Sequence, residues 1–237
     1  MTARSVVLSV LLGAHPAWAT TAELLRLTAD FDIKESTLRV ALTRMVAAGD
    51  LVRSRDGYRL SDRLLTRQRR QDYALNPTTR EWDGSWVMAV VTAVGADART
   101  RAGLRTELLH NRFGELREGV WLRPDNLDVG VPEQTRELVR MLTARDPDGA
   151  GLTARLWDLT AWSAAGHRLL DELDAARDIP GRFVVAAAMV RHLLTDPVLP
   201  AELLPPDWPG QRLRDGYAEF VALMLQRRYG TKTEEPR

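Results

Sequence analysis

Ser36, Thr37, Arg39, Val40, Thr43 and Arg44 fall together in one amphipathic stretch, and Arg53, Arg55 and Arg59 follow it closely. These residue types perform no covalent chemistry when arranged this way. Their chemistry is recognition: Arg bonds guanine edges or phosphates, and small Ser, Thr and Val side chains let a helix sink into the major groove and touch thymine methyls. On a wheel of 100° per residue, Leu38, Leu42, Met45 and Val46 share the opposite, apolar face. The outer face is thus small in its middle and cationic at its flanks.

Other groups that could do chemistry are sparse. The chain has no cysteine, which removes disulfides, thiolate metal sites and thiol nucleophiles together, and fits a cytoplasmic protein. His15, His110, His167 and His192 are scattered without metal-ligand spacing, so neither a zinc site nor another cofactor is expected. Asp97 is the nearest acid to the apolar run of residues 86–94, and one carboxylate without a partner is a poor Mg²⁺ site.

The elements that must hold the cationic face are legible around it. Thr20-Thr21-Ala22-Glu23 has capping-box spacing and opens a short helix ending near Asp30. The helix bearing Arg39 starts within a turn of Lys34, where Asp32 or Ser36 would be its cap. After it, Asp56-Gly57 between residues 51–53 and 58–60 predicts a two-residue hairpin, a basic wing. Residues 6–11 carry Val6, Val7, Val10 and Leu11 at helical spacing, as a first core helix would. Arg4 before an apolar run and Ala17-Trp18-Ala19 imitates a secretory signal, but the run is broken by Ser9, and cleavage would remove that core helix. No run of about 18 apolar residues exists, so no membrane helix is expected.

Residues 61–75 form a polar connecting helix carrying Arg63, Arg67, Arg69 and Arg70, either along a DNA backbone or simply solvated, and Asn76-Pro77 marks a boundary. Beyond it, residues 86–94 read as a buried strand and 98–112 as a helix with Leu104, Leu108 and Leu109 inward. Residues 119–122 read as a strand, 132–145 as a helix and 152–157 as a strand, with one more strand hidden near Leu116 or Val129. This order predicts a ferredoxin-like α+β unit. Residues 163–177, 180–194 and 212–229 read as helices. The chain is therefore an α+β multidomain protein: an amino-terminal winged helix-turn-helix with its connecting helix (1–75), a ferredoxin-like middle domain (76–160), an all-α carboxy-terminal domain (161–230) and a tail (231–237). Charge follows the same division, with 12 Lys or Arg against 8 Asp or Glu in residues 1–75 and 21 against 24 in the rest.

Several segments resemble the PaaX-type transcriptional repressors of phenylacetic acid catabolism: ARSVVLSVLLG (3–13), TLRVALTRMVAAGDL (37–51), WDGSW (82–86), FGELREGVWLRP (113–124) and DPVLPAELLPPDWPG (196–210). The resemblance implies a winged head, a middle domain similar to small CRISPR-associated ferredoxin-like nucleases, and an all-α end. It also implies a homodimer that represses transcription from a double-stranded DNA operator and is released by an aryl-acetyl coenzyme A thioester such as phenylacetyl-CoA. A coenzyme A site needs Arg forks and an aromatic slot, and Arg101, Arg105, Arg112, Trp121 and Arg123 are the candidates, the first three within about 120° of one wheel. On residues alone, Trp121, Trp157, Trp162 and Trp208 fill cores or line that pocket, and the arginines serve the anion or pair with Glu107, Glu115 and Glu118. Two other classes compete: a metal-dependent nuclease in the middle domain, which the lone Asp97 disfavours, and a protein-binding adaptor, which the basic wing disfavours. No enzymatic activity is expected.

Overall fold

A computed structural model describes residues 1–93, 95, 97–128 and 130–229. The expected tail, 231–237, lies outside the described residues, as do Val94 and Val129. By contacts the chain divides into two units. One comprises Met1–Leu75, Arg168–Leu193 and Gln211–Arg237, the other Asn76–His167 and Leu194–Gly210.

The first unit begins with α1 (Ala3–Leu12), β1 (Trp18–Thr20), α2 (Thr21–Ala29) and α3 (Glu35–Ala47), followed by β2 (Leu51–Arg53), β3 (Gly57–Leu60) and α4 (Asp62–Leu75). Both α1 and α2 open with complete capping boxes, Thr2 with Ser5 and Thr20 with Glu23, so their first amides are satisfied within the helix start. Val7, Leu11, Leu24, Leu38, Leu42, Met45, Leu51, Leu60 and Leu64 close one core. The three strands pair antiparallel in the order β1-β3-β2, with Arg59 of β3 opposite Trp18 on one side and Val52 on the other.

Gly57 has a role different from the one its sequence suggests. It is the first residue of β3, the turn lies at residues 54–56, and Ser54 N–H donates to the Gly57 carbonyl at 2.9 Å. A Cβ at Gly57 would lie 2.2 Å from the Ala19 carbonyl oxygen, so glycine is needed for the close approach of β1. The hairpin of β2 and β3 is present with its turn one residue earlier than Asp-Gly suggests, and β3 also pairs with a third strand, β1, which the signal-like Ala17-Trp18-Ala19 conceals in sequence.

The connecting helix α4 is also part of the core. Leu64, Gln68, Gln71 and Ala74 are buried, and Gln68 Nε2 donates to the Leu12 and Ala14 carbonyls, 3.1 and 2.9 Å away, at the end of α1. Gln71 donates to the Tyr217 hydroxyl on α10 (Gly210–Tyr229) at 3.1 Å. Burial first, then the nearby Asp72 charge, push that phenol up to about 12 against the pull of Gln71, so it stays neutral. Phe183 of α9 (Ile179–Leu193) stands edge-on to Phe31 and Phe220, with ring centroids 5.0 and 6.1 Å away.

The second unit carries β4 (Ser85–Val91), α5 (Ala98–His110), β5 (Gly114–Arg117), β6 (Val120–Pro124), α6 (Glu133–Arg136), β7 (Val139–Arg145) and α7 (Gly149–Leu156). It also holds the start of α8 (Leu159–Ala175). Its four-stranded antiparallel sheet runs β5-β6-β4-β7. One face packs Ala89, Phe113, Trp121 and Val139 against Leu104 and Leu108 of α5; the other packs Trp86 and Leu122 on Leu152 of α7.

Several readings of this part are corrected. Residues 132–145 hold only the short α6, and Val139–Arg145 is a strand paired with β4 over seven residues. The Leu138, Val139, Leu142 spacing suits either state, and the neighbouring strand decides. Residues 152–157 are helical through Leu156 because Asp148 caps α7, accepting the Gly151 N–H at 2.8 Å. Leu109 is 48% exposed and does not face inward. The hidden strand is β5, through Leu116. Trp157, Trp162 and Trp208 are only half-buried, and the last two stack at 4.2 Å.

Candidate nucleic-acid interface

Helix α3 begins at Glu35 with Lys34 at its cap position and no side-chain capping bond. Asp32 does not cap it, having a left-handed φ of 54°, and Ser36 lies inside the first turn. Leu38, Leu42 and Met45 are buried and Val46 is half-buried. The helix stops at Gly49, whose φ of 70° reverses the chain so that Asp50 N–H reaches the Met45 carbonyl at 2.9 Å.

The opposite face is open. Ser36, Thr37, Arg39, Val40, Thr43, Arg44 and Ala47 are all exposed, Val40 at 51%. Thr43 Oγ1 donates to the Arg39 carbonyl at 3.0 Å. Arg53, Arg55 and Arg59 are exposed on or beside β2 and β3, and Arg59 Nη1 lies 3.7 Å from Asp62. The turn between the strands is pinned by Trp18 Nε1, which donates to Ser54 Oγ at 3.0 Å. A groove of about 600 Å³ runs between the first turn of α1 and α3, lined by Thr2, Arg4, Ser36, Thr37, Val40 and Arg44 among others.

Two residues absent from the sequence reading, Asp50 and Glu35, shape this face. Asp50 is buried and accepts from Arg4 Nη2 at 2.8 Å and Arg63 Nη2 at 2.6 Å, tying α1, the α3–β2 corner and α4 together. Glu35 takes both Nε and Nη2 of Arg39 on one oxygen, at 2.8 and 2.6 Å. The Glu35–Arg39 pair was readable from its i,i+4 spacing. The Asp50 pairs are 46 and 13 residues apart and had no local signal.

The candidate arginines of the second unit differ in setting. Arg112 lies beyond the end of α5, at φ 65°, and is buried with Nη1 donating to the Leu194 carbonyl, so it leaves the wheel that joined it to Arg101 and Arg105. Arg105 pairs with Glu115 and lies 5.1 Å over the Trp121 ring. Arg123 is buried 5.2 Å over the Phe113 ring, and Arg101 is exposed. Asp97 caps α5: hydrogen bonds from the Thr100 amide and hydroxyl hold its carboxyl below the usual range. Among the described residues no cluster of three or more His, Cys, Asp or Glu could hold a metal, and no helix is long and apolar enough to cross a membrane.

The chain is thus of mixed α+β structure, with the exposed cationic face of α3 beside a basic hairpin at its front. Family models match it in chain order: PaaX-like protein over residues 2–64, the PaaX protein central Cas2-like domain over 79–146 and the PaaX-like protein C-terminal domain over 157–227. The chain belongs to the PaaX-like family. It is similar to the transcriptional repressor PaaX of Escherichia coli (strain K12), 29% identical over 210 residues that cover 76% of this chain and 66% of the repressor, a little under two thirds of that relative's length. It is also similar to a solved structure, the uncharacterized protein Rv0674 from Mycobacterium tuberculosis, at 70% identity and a TM-score of 0.87, covering 96% of this chain and 97% of the other.

Proposed function

We propose that this protein is a sequence-specific DNA-binding transcriptional repressor. Its winged helix-turn-helix is α1 to β3, its ferredoxin-like domain spans 76–160 and its all-α part spans 161–230. The observation that carries this reading is the outer face of α3, wholly exposed, small at its centre and cationic at its flanks, beside the exposed arginines of the hairpin. A face of this kind seats in the major groove through Ser36, Thr37, Arg39, Val40, Thr43 and Arg44, while Arg53, Arg55 and Arg59 meet the backbone or minor groove. One such helix reads only a few base pairs, so the operator-binding form is a homodimer and the operator an inverted repeat.

In equilibrium titrations, Arg39→Ala loses ~1–3 kcal/mol on the operator and relaxes the preference at one position, whereas Arg55→Ala weakens all duplexes alike and lowers the salt slope by about one. An Arg39/Arg44/Arg55 triple alanine variant that folds and keeps full operator affinity would refute this assignment.

Release is proposed to follow binding of an aryl-acetyl-CoA or a related anionic thioester, with the exposed Arg105, beside the buried Trp121 ring, as a cation for that chemistry. Such a ligand weakens operator binding only by its differential affinity for the two conformations. Phenylacetyl-CoA, phenylacetate and coenzyme A are titrated separately against the operator complex. Release by the thioester at concentrations where neither component acts is the expected result, and no change in DNA affinity or thermal midpoint with any of the three removes the effector from the proposal.

A further inference from the structure

Glu35 is an anionic side chain at the edge of a face read above as meeting a polyanion. Its side chain is 56% exposed and that of Arg39 is 61% exposed, so nothing buried requires the pair. An exposed i,i+4 pair adds little to folding. A carboxylate so placed lowers affinity for every phosphate within a Debye length, whatever the sequence. Its geometry, however, constrains what Arg39 can do. Glu35 Oε1 takes Nε–H and one Nη2–H, the side edge of the guanidinium. Of the five N–H donors, three remain: both on Nη1 and the other on Nη2. The parallel pair among them, one from each terminal nitrogen, is the end-on fork that matches O6 and N7 of guanine. The second oxygen, Oε2, keeps its lone pairs for a cytosine N4 amino group.

We propose that Glu35 is a specificity-determining residue that holds Arg39 end-on for a guanine, accepting weaker binding to all DNA in return for discrimination at that base pair. This rests on the reading of α3 as the DNA-contacting helix. An unrestrained arginine swings to whichever phosphate is nearest, because its long side chain has many rotamers and the phosphates carry most of the attraction. With its side edge held, the fork has one direction, and a wrong base leaves its donors desolvated and unmatched.

The test uses the full chain and a duplex that it selects from a randomised pool. Affinity is measured for that duplex, for all single-position variants of it and for a scrambled duplex, at one salt concentration. Glu35→Ala should bind the scrambled duplex as tightly as the parent or more tightly. The preference for guanine at a single position should fall about tenfold or more. Glu35→Gln keeps an oxygen acceptor for Arg39 without the charge and should restore most of that preference, which simple relief of repulsion does not predict. In an Arg39→Ala background, Glu35→Ala should change the preference no further. A guanine preference within twofold of the parent in Glu35→Ala, or one lost equally in Glu35→Gln, overturns the proposal. Failure of the underlying reading has a different signature: Arg39→Ala itself leaves both affinity and preference unchanged, or the pool yields no selected duplex.

Discussion

Replacing Arg228 by Ala should cost ~3–5 kcal/mol of stability in the unit that carries α3, more than any surface substitution there. Arg228, near the end of α10, is 3% exposed, and its Nε donates to Glu23 Oε1 at 3.0 Å while Nη2 donates to the Trp18 carbonyl at 2.7 Å. Glu23 is the capping-box acid of α2, so removing the guanidinium leaves a buried carboxylate with only the Thr20 amide and hydroxyl. Neighbouring bonds reinforce the junction: Arg26 donates to the Arg228 carbonyl, and Arg227 pairs with Asp30 at 2.7 Å. Urea unfolding monitored by circular dichroism measures the loss, and a Glu23→Gln/Arg228→Met double variant should lose clearly less, because no charge is stranded.

The pH dependence provides a second readout. Burial alone pushes the Glu23 carboxyl up, but the hydrogen bonds from Arg228 and Thr20, with the guanidinium charge, outweigh it and hold the group below its ordinary value of 4.5. A depressed folded value means that the stabilisation is complete above 4.5 and is lost as pH falls through the folded value. Parent and Arg228→Ala should therefore differ most near neutrality and converge in acid. A gap that stays constant from pH 7 to below 4 would show that the pair contributes no charge-dependent stability.

Trp86→Ala should destabilise the second unit by ~3–5 kcal/mol, whereas Trp86→Phe should cost less than half of that. Trp86 is 0% exposed on β4, edge-on to Trp82 at 6.1 Å and packed with Leu122 and Leu152. Truncation to Ala removes the whole ring from the face that carries α7. The indole N–H is buried without a hydrogen-bond partner among the described residues, and an unmatched donor of this kind costs ~1–3 kcal/mol. Phenylalanine deletes that donor along with part of the ring, so the two changes offset. Differential scanning calorimetry on the three proteins decides the matter, and a Phe variant as unstable as the Ala variant would mean that the N–H is satisfied.

The helix that presents Arg39 and Arg44 was legible from the chain alone, because its face is set by a local 3.6-residue period and ends at Gly49. The α2 capping box was legible for the same reason, its two partners being three residues apart. Residues 139–145 and 152–156 were not, because short apolar segments satisfy helical and extended spacing alike. The β4 pairing and the Asp148 cap settled them. Gly57 illustrates the limit most sharply: Asp-Gly marks a hairpin locally, yet the glycine is required by a strand nearly forty residues earlier in the chain. The sequence by itself determined the family likeness, the cationic face of α3 and the capping box of α2, all of which depend on neighbours a few residues apart. Only the tertiary structure decided that one face of α4 is core, that Arg112 and Arg123 are buried while Arg101 and Arg105 are exposed, and that Asp50 and Glu23 anchor the head through arginines distant in the chain. Long-range ion pairs and strand neighbours leave no periodic trace, since they are chosen by which surfaces meet when the core closes.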